Sequence, residues 1–126
     1  MRLNQITLPS TDVIRGRDFY VRLGFALLVD APPHYMRLEA PEGGTTLSLH
    51  LVDALPSGPG AVIYLESDRL DADVARLEAA GFTFFQQPRD EPWLWREARL
   101  KDPDGNEICL YHAGQNRLDP PWRVKA

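Results

Sequence analysis

The residues of this chain able to do chemistry are few, and most fall on strand-like segments. His50 lies in the run Thr45 to Val52, in which Thr46, Ser48 and His50 share one face and Leu47, Leu49 and Leu51 the other. The leucine face belongs to a core, so Ser48 and His50 look toward something else. A neutral imidazole there can hydrogen-bond a ligand or act as a catalytic general base. The alternative is a histidine satisfied by Gln5 or Ser48, or one set in a subunit interface. Gln5 lies on the alternating segment Leu3 to Leu8, on the face of Leu3 and Thr7. Trp93 and Trp95 share a face with Glu97 and Arg99, while Arg96 falls with Leu94 and Ala98. Trp95 offers a large apolar surface with one donor, which suits ligand contact or plain packing. Arg96 can clamp a carboxylate or phenolate in bidentate fashion if it reaches the ligand side, although its face reads as the one turned to a helix. Cys109 is the single cysteine, and a small buried hydrophobe is one reading of it. His34 and His112 read as surface residues at a turn and a strand end.

These residues sit in 126 positions, one domain's worth of chain, with 44% hydrophobic and 25% charged residues. That balance excludes a disordered or collagenous chain. The formal charge of -4, without any basic run, gives no footprint for nucleic acid. No stretch approaches a membrane span, and the opening MRLNQITLPS has no leader pattern, so a soluble cytoplasmic protein is expected. One cysteine excludes an internal disulfide.

Eleven prolines and nine glycines predict short elements joined by turns. Strand Leu3 to Leu8 precedes three candidate N-caps, Ser10, Thr11 and Asp12, then a helix over Val13 to Leu23 that Gly24 stops. Strands follow at Phe25 to Val29, Tyr35 to Glu39 and Thr45 to Val52. After a linker at 56–60 the order repeats. A strand spans Ala61 to Glu66, and Asp68 can cap a helix carrying Leu70, Val74 and Leu77. Strands at Phe82 to Phe85, Trp93 to Leu100 and Glu107 to Tyr111 complete it, the last two joined by the tight turn Asp102-Pro-Asp-Gly105. One domain over 1–126 is therefore expected, with module one at 1–55, module two at 61–113 and an irregular, basic tail at 114–126 in which Trp122 is the residue expected to dock.

The doubled order, the segment Arg17-Asp-Phe-Tyr-Val-Arg-Leu-Gly-Phe25 and the hairpin Asp102-Pro-Asp-Gly-Asn-Glu-Ile-Cys-Leu110 together resemble the vicinal oxygen chelate superfamily, also called the glyoxalase, bleomycin-resistance and extradiol-dioxygenase superfamily. The resemblance spans residues 3–113. It implies an α+β fold of two tandem βαβββ modules forming a curved mixed sheet around a cleft, a homodimer, and a small organic molecule held in the cleft. Two functions follow from it: a metal-dependent lyase, isomerase or dioxygenase, or a non-catalytic drug-binding protein of the bleomycin-resistance kind. Ligands carried over by position are Gln5 and His50 from the first module, and Val62 or Ala61 with Cys109 from the second. Val62 and Ala61 have no donor atom, and Cys109 stands where the family usually has Glu. Gln5, His50 and Cys109 would suit zinc better than a hard ion, and only in part. No cofactor, or at most one divalent ion such as zinc, is therefore expected. Ligand contacts are expected at Gln5, Ser48, Trp95 and Arg96, with His50 the one catalytic candidate.

Overall fold

Asp12 is the cap that the first helix uses. Its carboxylate accepts the Arg15 backbone N–H at 3.0 Å, opening helix α1 over Val13–Leu23. Gly24, at φ 123°, ends it in a conformation that disfavours a side chain. Gly16 lies inside the helix because the sheet is so near: a Cβ there would stand 2.6 Å from Leu49 Cδ1. Strands β1 (Gln5–Ser10), β2 (Ala26–Ala31), β3 (Tyr35–Glu39) and β4 (Thr46–Leu51) form a mixed sheet in the order β1-β4-β3-β2. β1 runs parallel to β4, and Pro9 is tolerated because β1 is an edge. Leu8, Tyr20, Met36, Leu38, Leu47 and Leu49 fill the core beneath α1.

The second module has strands β5 (Val62–Glu66), β6 (Phe84–Asp90), β7 (Arg96–Lys101) and β8 (Glu107–His112), ordered β5-β8-β7-β6, with helix α2 over Leu70–Ala79. Leu70, Val74 and Leu77 meet Phe84, Ala98, Leu100, Ile108 and Leu110 in its core. The computed structural model describes residues 1–125 and divides into two units. One holds residues 1–61 with the turn Asp102–Asn106, and the other residues 62–101 with the described residues from Glu107 onward. Both are βαβββ, as predicted from the repeated order of elements.

Three local expectations are corrected. Asp68 does not cap α2: Arg69 holds the N-cap position, and the Ser67 hydroxyl accepts the Arg69 N–H and bonds the Asp73 carboxylate. β7 starts at Arg96 rather than Trp93, because residues 91–94 form a turn with Leu94 at φ 67°. β6 extends through Gln86 to Asp90, a span whose proline and charges read as loop but which pairs irregularly with β7 at the sheet edge.

The two sequence motifs meet inside the first unit. Asp102 Oδ1 accepts the N–H groups of Asp104 and Asn106, and its Oδ2 accepts Asn106 Nδ2 at 2.9 Å and the Tyr20 hydroxyl at 2.6 Å. Burial first, then the Asp102 charge, hold the Tyr20 phenol far above its ordinary range. Gly105, at φ 87°, lets the turn close around the carboxylate.

Candidate functional site

Alternation along β5, β7 and β8 leaves one set of side chains on the sheet face away from α2, and register then decides which of them meet. Tyr64 lies opposite Cys109, Arg99 opposite Cys109 on the other side, and Glu97 opposite Tyr111. Trp95, just before β7, stacks on Tyr111 with ring centres 4.5 Å apart and 17° between planes. Tyr64 meets both rings edge-on, at 6.0 Å from Trp95 and 5.7 Å from Tyr111. Tyr111 is buried and Trp95 half-buried, whereas Tyr64 is 48% exposed and presents ring surface outward.

Beside the rings lies a charge cluster. Glu97 is 2% exposed, yet its carboxylate is matched: Oε1 accepts Arg99 Nη2 at 2.8 Å, and Oε2 accepts the Trp93 indole N–H at 2.6 Å. Arg99 Nη1 also donates to Glu107 at 2.8 Å. Burial works against the Arg99 charge, but the bonds to Glu97 and Glu107 outweigh it and raise the guanidinium pKa. Burial first and the Glu97 charge second push the Cys109 thiol up to about 12, against a smaller opposing effect of Arg99. At neutral pH it is a protonated, fully buried thiol, neither nucleophile nor ready ligand.

The C-terminal segment is tied to the rim of this face. The Glu66 carboxylate accepts the N–H groups of Ala113 and Gly114, and the Trp95 indole donates to the Asn116 carbonyl at 3.3 Å at a short 3-10 helix, Gly114–Arg117. Trp122 is 57% exposed.

In the first unit the structure separates two of the predicted residues. Gln5 pairs with Thr46 and Pro9 with His50, so Gln5 and His50 lie four register positions apart, about 13 Å along the sheet. Gln5 Oε1 accepts the Thr46 hydroxyl at 2.8 Å, Ser48 is buried and bonded to Thr7 at 2.6 Å, and the exposed His50 ring has no hydrogen-bond partner among the described residues. Arg96 lies on the α2 side, where Asp71 and Asp90 hold it at 3.0–3.1 Å. Sequence reasoning passed over Tyr64, Tyr111 and Tyr35. The signal for the first two was their even spacing on strands already predicted, with Cys109 and Glu66 on the same faces.

The metal that the resemblance implied does not fit these residues. Gln5 and His50 do not converge, the Gln5 oxygen is engaged, and Cys109 is a protonated thiol flanked by Glu97 and Arg99. Among the described residues, no group of three or more His, Cys, Asp or Glu side chains is placed to hold an ion.

Two βαβββ units, each a four-stranded mixed sheet covered by one helix, define the glyoxalase/bleomycin-resistance/dioxygenase fold. Residues 2–110 match the model of the Glyoxalase/Bleomycin resistance protein/Dioxygenase superfamily, and the chain belongs to that family. Among solved structures it is similar to a glyoxalase/bleomycin resistance protein/dioxygenase from Nocardioides, with TM-score 0.77 and 25% identity over 99% of this chain and 90% of that one. A superfamily member from Sphaerobacter thermophilus gives 0.72 and 28%, covering 89% and 97% of the two chains. TnmS3, an antibiotic binding protein from Streptomyces sp. CB03234, gives 0.70 and 37% over 90% and 96%. No curated protein matches the chain significantly. None of the helices among the described residues is long and apolar enough to cross a membrane.

Proposed function

We propose that this protein is a non-catalytic binder of small aromatic molecules, which it holds against the ring face of its second module. The observation that carries this reading is the Tyr64, Trp95 and Tyr111 cluster: three rings braced against each other beside a fully matched ion pair. Such a surface offers apolar area and polarisable ring faces at low entropic cost, because each ring is already held by its neighbours. The 37% identity to an antibiotic binding protein supports it. The enzyme reading needs a reacting group, and Cys109 is neutral and buried while His50 has no partner to orient it as a base. Arg96, engaged by Asp71 and Asp90, is outside the proposed surface. Our reading includes the homodimer expected from the family, with Trp122 and the basic tail as its contact.

The test is fluorescence titration of the full chain with daunorubicin, a planar polycyclic antibiotic, against kanamycin, which has no aromatic ring. Saturable quenching by the first alone is expected, weakened about tenfold or more in Trp95→Ala but not in Trp122→Ala. Equal response to both compounds, or a Trp95→Ala protein that binds as well as wild type, would remove the proposal.

A further inference from the structure

The first module carries a second feature, independent of the ring face. On β3 and β4, Arg37 lies opposite Ser48, and Tyr35 opposite His50, all on the side away from α1. The Arg37 Nε donates to the Tyr35 hydroxyl at 3.0 Å, and the guanidinium carbon lies 5.6 Å from the Tyr35 ring centre. Ser48 in turn is bonded to Thr7 at 2.6 Å. The neighbouring Ser48 hydroxyl, and to a smaller extent Arg37, lowers the Tyr35 pKa against the opposing effect of burial.

The donors and acceptors do not balance. Elsewhere in this unit Arg17 pairs with Asp18 and Asp30, and Arg15 with Asp104. Arg37 finds a phenol, through its Nε alone, and its two terminal nitrogens have no acceptor among the described residues. The Tyr35 oxygen accepts the Arg37 Nε–H, and its own O–H remains a donor. His50, next in register and exposed, adds a further unmatched ring. The one carboxylate on this face of β3, Glu39, accepts the Gly44 N–H at 3.0 Å at the strand end. What is missing is an acceptor with two oxygens.

We infer that Arg37, Tyr35 and His50 form a binding site for the carboxylate of a small organic molecule, the guanidinium fork of Arg37 receiving both oxygens. Half-burial of Arg37 and Tyr35 weakens the competition from water, and the Nε bond fixes the plane of the fork before a ligand arrives.

The experiment is a 1H–15N titration of the full chain with benzoate, phenylphosphate and the neutral isostere benzamide. Benzoate should shift the amides of Tyr35, Arg37, Ser48 and His50 and bind about tenfold or more tightly than benzamide. Arg37→Gln should weaken benzoate about tenfold, and Arg37→Lys by about threefold because an ammonium cannot fork. Should Arg37→Gln fail to fold, Arg37→Lys and Tyr35→Phe carry the comparison, each expected to weaken benzoate alone. Benzamide binding as tightly as benzoate, folded Arg37 variants that bind benzoate like wild type, or no shift at these four residues would overturn the site. Tighter binding of phenylphosphate than of benzoate would overturn its assignment to a carboxylate.

Discussion

Replacing Glu97 by Gln tests the arrangement beneath the ring face most directly. The carboxylate is 2% exposed and faces donors on both oxygens, Arg99 on one and the Trp93 indole on the other. An amide keeps one oxygen and puts two hydrogens where the other stood. Whichever way it turns, an N–H meets either the guanidinium or the indole, and one buried donor is left unmatched. Loss of a charge-assisted bond costs about 1.5–3 kcal/mol and an unmatched buried donor about 1–3 kcal/mol. Arg99 retains Glu107, which keeps the guanidinium from being stranded, so the expected total is in the lower half of the summed range, about 2.5–4 kcal/mol. Urea denaturation followed by circular dichroism reads it, and a cycle with Arg99→Met should return a coupling of about 1.5–3 kcal/mol. A loss below about 0.5 kcal/mol in Glu97→Gln would show that the carboxylate is not the buried partner described here.

Tyr20→Phe removes the 2.6 Å bond to Asp102 that joins α1 to the turn at 102–106, and denaturation should show a loss of about 1.5–3 kcal/mol, tempered by the Asn106 bond to the same oxygen; wild-type stability would refute that role. Cys109 predicts an alkaline effect: its thiol titrates near 9 unfolded and at about 12 folded, so between these values the unfolded chain releases a proton that the folded one keeps, and stability falls as pH rises through that window. Urea midpoints of wild type and Cys109→Ala compared at pH 8 and at pH 10.5 check it, and an equal decline in both proteins would count against it.

The sequence alone determined what depends on local chemistry. An Asp before Val13 and a Gly after Leu23 bound α1 because capping and positive φ are properties of a few neighbouring residues. The repeated order of elements, the turn at 102–105 and the shared side of Trp95, Glu97 and Arg99 followed from periodicity and turn residues in the same way. Only the tertiary structure decided how strands meet. Gln5 and His50 are on one face of one sheet, as alternation requires, yet four positions of parallel register keep them apart. Tyr64 reaches Cys109, Tyr111 and Trp95 across a pairing with no local signal, and the Tyr35 and Arg37 pair acquires its meaning from the carboxylate that no neighbouring strand supplies. Alternation fixes which side a residue faces and so puts Tyr35 beside Arg37 on one strand, whereas register is set by the packing of whole strands and decides the cross-strand contacts of both proposed sites.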